Sequence, residues 1–289
     1  MGLAFKNIGL IGKYADDQMG DFLNRLITHI RRHEVQVFLD KGTSEFTPIP
    51  DIEILDRAAM GKRCDLVIVI GGDGTLLNAA RSLVEYDVRL IGINMGRLGF
   101  LTDISTDQME HRIDEVMTGG YVTEERALLS AKIYRDGAEI SSNIALNDVV
   151  IHKWEEARML EFDTAINGRF VNSQRADGLI ISTPTGSTAY ALSGGGPILH
   201  PALSVITLVP ICPHTLSQRP LVIDMENDVE ITISDSGHAR ARVTCDGQIS
   251  LGVQPKDRIV ITRYENKIKL IHPADYHYFE LLRAKLHWG

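Results

Sequence analysis

Residues 66–75 read LVIVIGGDGT. Five consecutive apolar residues, Leu66 to Ile70, mark a strand covered on both faces. Gly71-Gly72-Asp73-Gly74-Thr75 follows with no spacer. In open α/β sheets, ligands bind at the carboxyl ends of such strands. Gly71, Gly72 and Gly74 let the backbone turn sharply and approach a bound group without a Cβ in the way. Thr75 is expected to start a helix whose free N–H groups suit a phosphate.

Asp73 is the odd member. A carboxylate repels phosphate, so a loop built only to hold phosphate would avoid it. It suits a group that accepts a proton from a hydroxyl or orients that hydroxyl for attack. In phosphoryl transfer the transition state is loose, so such a base mainly positions the nucleophile. The plainer reading is a strand-to-helix turn with an Asp near the helix start, and it weakens as the motif lengthens. Two familiar phosphate motifs are absent. No Gly-x-x-x-x-Gly-Lys-Ser/Thr run occurs, and no Gly-x-Gly-x-x-Gly follows the first predicted strand. Gly92, Gly96 and Gly99 in GINMGRLGF have the wrong spacing for the latter.

Around this loop, strand-like and helix-like pieces alternate. Ile8–Ile11, Val35–Leu39, Leu66–Ile70 and Arg89–Ile93 read as strands. Asp16–Arg32 places Met19, Phe22, Leu23, Leu26, Ile27 and Ile30 on one helical stripe. Leu76–Val84 and Met109–Met117 also have the helical period. This alternation predicts a mostly parallel sheet with helices on both faces, an α/β domain over residues 1–122. After Gly119-Gly120 the texture changes to short alternating runs separated by turn pairs such as Asn167-Gly168 and Asp246-Gly247. Residues 123–272 are therefore expected to form a β-rich, sandwich-like domain. The tail, 273–289, reads as an amphipathic helix with Tyr276, Phe279, Leu282 and Leu286 on one side. It is expected to return to the N-terminal domain.

A formal net charge of −8 argues against a broad nucleic-acid footprint. The longest apolar run has five residues, far short of the ~20 a membrane span needs. The start carries no signal-peptide pattern. Cys64, Cys212 and Cys245 have neither disulfide nor zinc-ligand spacing. These features predict a cytoplasmic protein with no nucleic-acid or membrane partner, and with no protein-made metal cluster.

A second cluster lies in the β-rich part: QRADGLIISTPTGSTAYALSGGGP, residues 174–197. Arg175 and Asp177 precede a buried strand. Thr185, Ser187 and Thr188 lead into a short helix that Gly194–Gly196 and Pro197 stop. Small hydroxyls and free N–H groups there suit a base or ribose, and Tyr190 offers a flat face. A capped helix between strands is the bland alternative. Asn147-Asp148 opens a strand, where both residue types are common for structural reasons. Cys245-Asp246-Gly247-Gln248 reads as a hairpin turn, and His200 and His214 as structural histidines.

Together these segments resemble the bacterial NAD kinase family. Gly71–Thr75 is shared with phosphofructokinases and with diacylglycerol- and sphingosine-type lipid kinases, so it points only to the superfamily. Asp177–Ser193, DGLIISTPTGSTAYALS, is more specific. Asn147-Asp148, Gly92–Gly96, Val209-Pro210 and Pro213-His214 also fall where the family has its blocks. The resemblance implies transfer of the γ-phosphate of ATP to the 2′-hydroxyl of the adenosine ribose of NAD. It implies that Asp73 holds and activates that hydroxyl, and that Gly71, Gly72, Gly74 and Thr75 lie at phosphate. Asn147 and Asp148 would contact adenosine or its ribose. Thr188, Ala189, Tyr190 and Ser193 would line the adenine pocket. Arg175 and Asp177 would set the nicotinamide side, with Arg158 and Gln248 as further contacts. The family pattern is Asn-Glu, whereas this chain has Asn147-Asp148, one methylene shorter. The resemblance also implies a homodimer or homotetramer, and a divalent metal, with Mg²⁺ expected to arrive on ATP.

Two other readings stay open on sequence. A lipid kinase would share the glycine loop but should carry a route to the membrane, which is not visible. A non-catalytic NAD(P)-binding sensor could dispense with Asp73.

Overall fold

The computed structural model describes residues 3–13, 18–96, 98–154, 159–235 and 241–288. The chain divides into two compact units, one formed by 1–125 with 268–289 and the other by 126–267.

In the first unit, strands and helices alternate as β1 (Asn7–Gly12), α1 (Met19–Ile30), β2 (Gln36–Asp40), α2 (Lys41–Phe46), β3 (Glu53–Leu55) and α3 (Arg57–Arg63). They continue as β4 (Leu66–Gly71), α4 (Asp73–Leu83), β5 (Arg89–Asn94), β6 (Ile104–Ser105) and α5 (Met109–Met117). The strand order is β3-β2-β1-β4-β5, with every neighbouring pair parallel. Every residue of β4 is buried, as its unbroken apolar run predicts. The buried face of α1 is the predicted stripe, Met19, Phe22, Leu23, Leu26, Ile27 and Ile30. Three short elements early in this unit leave no periodic mark in the sequence. β3 has three residues, too few to show a pattern. α2 and α3 are short and depend on caps, with Asp40 accepting from Thr43 N at 3.0 Å and Asp56 from Ala59 N at 2.7 Å.

The winding positions the site. The chain runs outward from β1 to β2 and β3, then crosses back to β4 and continues to β5. The order therefore reverses between β1 and β4, which is the switch point where open α/β sheets bind ligands. Gly71-Gly72 leaves β4 there, and the Lys13 N–H beside it donates to Ile70 O at 2.9 Å.

The second unit contains most of β7 (Tyr121–Arg135), then β8 (Ala138–Ala145), β9 (Asp148–Lys153), β10 (Leu160–Ile166), β11 (Arg169–Ala176) and β12 (Gly178–Ser182). A 3-10 turn, Thr185–Thr188, leads to α6 (Tyr190–Ser193). β13 (Val205–Ile211), β14 (Leu221–Asp224), β15 (Val229–Ile233), β16 (Ala241–Cys245), β17 (Ile249–Val253) and β18 (Arg258–Pro273) follow. One antiparallel sheet has the order β14-β13-β12-β9-β16-β17. β11, β10, β15 and the first half of β18 form a second antiparallel run, and β7 pairs with β8. Leu179, Ile181 and Val243 from one layer and Phe162, Ile231 and Ile259 from the other bury a common core. Asn167-Gly168 and Asp246-Gly247 both take positive φ, as tight hairpin turns require.

The second half of β18 belongs to the first unit, where Lys269 and Leu270 pair with Arg89 and Leu90 of β5. α7 (Tyr278–Leu286) follows, with Lys285 Nζ donating to Leu98 O at 2.6 Å. The structural division after Glu125 lies within four residues of the expected boundary at 122, and the one after Lys267 comes before the expected 272. Both crossings fall inside long strands, β7 and β18, so no turn or linker marks them. The buried face of α7 also differs from the predicted stripe. Tyr276 precedes the helix and Phe279 is exposed, while Tyr278, Leu281 and Leu282 are buried.

Candidate functional site

The helix after β4 starts two residues earlier than predicted. Gly72 is its cap and Asp73, not Thr75, is its first residue. The Thr75 N–H is not free, because it donates to Gly72 O at 3.0 Å. Gly71 has φ +154°, and a Cβ there would meet Thr75 Oγ1 at 2.6 Å. A Cβ on Gly72 would meet nothing within 4 Å, so the backbone has an open face beside Asp73. Asp73 is half-buried and Gly74 exposed.

The Asp73 carboxylate is fixed by a segment distant in sequence. Phe100 N donates to Oδ2 at 2.9 Å, Leu101 N to Oδ1 at 2.9 Å, and Thr102 Oγ1 to Oδ1 at 3.2 Å. The turn that presents these donors closes with Gly99 N donating to Thr102 O at 3.1 Å. Two glycines bring the segment this close. A Cβ on Gly92 would meet Leu101 O at 2.7 Å, and one on Gly99 would meet Asp73 Oδ1 at 2.1 Å. Gly92 thus packs under Leu101 and Gly99 against Asp73, whereas a Cβ on Gly96 would meet nothing within 4 Å. A carboxylate held at a helix N-terminus beside an open glycine face can orient a hydroxyl next to a bound phosphate.

The second unit carries a cavity of about 540 Å³ lined by Asn147, Asp148, Asp177, Ala189 and Tyr190, with His152, Lys153, Asp246 and others. Its floor is built on the β16–β17 hairpin. Asp246 accepts from the N–H groups of Leu146 (3.1 Å), Asn147 (2.7 Å) and Asp148 (3.2 Å). On the carbonyl side, Thr183 N donates to Asn147 O at 2.9 Å and Thr183 Oγ1 to Leu146 O at 2.6 Å. Asn147 is thus held by its backbone, while its side-chain Oδ1 is buried with no partner.

Gly186 packs on the same backbone, and a Cβ there would meet Asn147 O at 2.2 Å. Backbone cannot yield as a flexible side chain can. We expect Gly186→Ala to destabilise the fold by about 1–3 kcal/mol and to raise the KM for substrate more than it lowers kcat. Denaturant melts and steady-state kinetics check both.

Asp148 is buried, and burial, then the neighbouring Asp246, push its carboxyl from 3.8 up to about 7. The folded state therefore holds this proton between about 4 and 7, where the unfolded chain has released it. The stability this contributes is complete below the unfolded value and is lost as pH rises through the window. Asp148→Asn should remove that dependence. Relative to the variant, substrate-free wild type should lose roughly a few kcal/mol between pH 4 and pH 7. Parallel urea melts measure the difference, and parallel pH curves would contradict it.

The remaining predicted residues divide. Thr188 is half-buried and Ser193 exposed, and neither lines the cavity. Gln248 closes the hairpin through its N–H to Cys245 O at 3.0 Å and does not line the cavity either. Asp177 does line it, paired with Lys153 Nζ at 2.7 Å. Arg175 sits in a different recess with His214 and pairs with Glu161 at 3.0 Å. Arg158 lies outside the described residues. Sequence reasoning missed Asp246 as a clamp, Gly186, His152, Lys153 and the segment 99–102. It singled out no metal-ligating cluster; in the first unit the ligand atoms of His29, His33 and Asp114 lie within 4.8 Å of one another.

A carboxylate beside an open glycine face in one unit, and a cavity carrying Asn147, Asp148, Lys153 and Asp177 in the other, suit a protein that acts on phosphorylated or nucleotide ligands. Residues 13–121 match the ATP-NAD kinase N-terminal domain and residues 146–273 the ATP-NAD kinase C-terminal domain. The chain is 48% identical over 285 residues to the NAD kinase of Saccharophagus degradans, covering 99% of this chain and 97% of that protein. Among solved structures it is similar to yeast NADH kinase complexed with NADH, with TM-score 0.88, 24% identity, and coverage of 98% of this chain and 88% of that one. It is also similar to an NAD kinase from Archaeoglobus fulgidus in complex with ATP, with TM-score 0.77, 25% identity, and coverage of 98% and 100%. The chain belongs to the NAD kinase family.

Proposed function

We propose that this chain transfers the γ-phosphate of ATP to the 2′-hydroxyl of the adenosine ribose of NAD, giving NADP and ADP. NAD phosphorylation follows from family membership over nearly the whole chain. The residue roles rest on one observation: the Asp73 carboxylate, locked by three donors, lies beside the open face of Gly72. Asp73 orients the 2′-hydroxyl and accepts its proton as the new O–P bond forms and the bond to ADP breaks. Its preset position avoids an ordering cost when the substrate arrives. Gly71, Gly72 and Gly74 present backbone to the transferring phosphate, with Thr75 beside them, its own N–H turned to Gly72 O. Asn147 and Asp148 contact the adenosine or its ribose, and Ala189 and Tyr190 cover the ring.

Phosphoryl transfer of this kind uses a divalent metal, and Mg²⁺ is the ion we assign. Asp73 is the one carboxylate of the loop 71–75, and its oxygens already accept from three donors. This donor set fits an ion carried mainly by phosphate oxygens, with Asp73 the protein group nearest to hand. When bound, Mg²⁺ supplies charge neutralisation on the phosphates.

The chain is expected to act as a homodimer or homotetramer. Phe170 and Val171, exposed on edge strand β11, support this. Sedimentation equilibrium measures it. No described helix is long and apolar enough to cross a membrane, and we assign the protein to the cytoplasm.

Purified protein with ATP, Mg²⁺ and NAD should form NADP, detected through an NADP-specific dehydrogenase. Phosphorylation of diacylglycerol in vesicles without NADP formation would favour the lipid-kinase reading. Tight NADP binding without turnover would favour a sensor.

A further inference from the structure

The His29, His33 and Asp114 cluster lies outside the groups assigned to phosphoryl transfer. His29 is on the last turn of α1, His33 ends the 3-10 turn that continues it, and Asp114 is on α5. The i, i+4 spacing of the two histidines sets them on one side of the helix end. Both His29 Nε2 and His33 Nε2 lie 2.7 Å from the same Asp114 Oδ1. The rings are edge-to-face with centroids 6.0 Å apart.

We propose that His29, His33 and Asp114 form a binding site for a divalent transition cation of the zinc type. Two imidazoles and one carboxylate are the donor set such ions prefer, and three protein ligands leave a fourth position for water. The ligand atoms already lie within 4.8 Å of one another. Tetrahedral zinc at bond lengths of ~2.0–2.1 Å spaces its ligands about 3.3 Å apart, so the two contacts to Asp114 need open by only about half an ångström, while the two imidazole nitrogens, within 4.8 Å of each other, settle to the same spacing. The imidazole side chains are 13% and 22% exposed and largely held in place, whereas that of Asp114 is 47% exposed and leaves an entry for the ion. The adjacent Arg25 is turned onto Glu110 at 3.0 Å and Thr106 O at 2.7 Å. A bound ion would tie the end of α1 to α5 more firmly than the hydrogen bonds that now join them.

Calorimetric titration of zinc chloride into untagged, chelator-treated protein tests this. One equivalent should bind to wild type, and His33→Gln and Asp114→Asn should each weaken it at least about tenfold. Cys212→Ser should leave it unchanged, because the exposed Cys212 thiol is not a ligand here. Zinc should raise the Tm of wild type but not of the two variants. Melting curves without zinc verify that both variants fold. Absence of stoichiometric binding to wild type, or equal binding to wild type and both folded variants, would overturn the proposal. Neither result bears on NADP formation, which is measured separately.

Discussion

Asp73→Asn is expected to lower kcat by about 10²–10⁴-fold while leaving the NAD dissociation constant within a few-fold of wild type. The side chain keeps its shape but can no longer take up the hydroxyl proton. It also disturbs the clamp. The carboxylate accepts on both oxygens, from Phe100 N on one and from Leu101 N and Thr102 Oγ1 on the other. A carboxamide can accept on only one side, so its NH₂ must face a donor. NAD binding, which we assign mainly to residues of the second unit, is not expected to follow the loss of rate. Turnover near wild type would show that Asp73 is a structural anchor for residues 100–102 rather than the group that handles the hydroxyl.

Gly99→Ala should have the second largest effect and isolates position from chemistry. The carboxylate is retained, but the new methyl would lie 2.1 Å from Asp73 Oδ1 and 2.3 Å from Thr102 Oγ1. Either the carboxylate or the 99–102 turn must shift by more than an ångström. A misplacement of that size costs about 10²-fold in rate. We expect kcat to fall by about that factor, with some loss of thermal stability as well, because Gly99, Leu101 and Thr102 are buried. Steady-state kinetics beside a melting curve separate the two. A variant that melts far below wild type and keeps its kcat would assign Gly99 to folding alone.

The parallel half of the molecule was legible because its signals are local. An unbroken apolar run of five followed by glycines describes a buried strand and its exit turn without further information. The helix stripe of α1 is equally self-contained. Elements that depend on partners left weaker marks. β3 pairs along three residues and has no period of its own. The unit boundaries lie within β7 and β18, where strand texture continues unchanged. The face of α7 was misjudged because Tyr276 belongs to the turn before the helix, which moves the stripe.

The site divides in the same way. Asp73 stands out because a carboxylate contradicts its glycine-rich setting. Asp246 does not, because Asp-Gly in a hairpin is already explained by turn geometry. Its grip on the amides of residues 146–148 spans about a hundred positions and exists only in three dimensions. The same holds for the donors from Phe100, Leu101 and Thr102, two of which are backbone groups that no side-chain pattern reports. His29 and His33 have helical ligand spacing, but their third partner comes from a different helix.

The central claim is that Asp73 acts on the phosphoryl-transfer step itself. Single-turnover transfer from γ-labelled ATP to saturating NAD, followed by rapid quench, tests this most directly because product release cannot mask it. Wild type should place the label on the 2′-position of NAD, and Asp73→Asn should slow that step by about 10²-fold or more at unchanged NAD occupancy. An equal single-turnover rate in the two proteins, or label appearing as inorganic phosphate instead of NADP in wild type, would contradict the account.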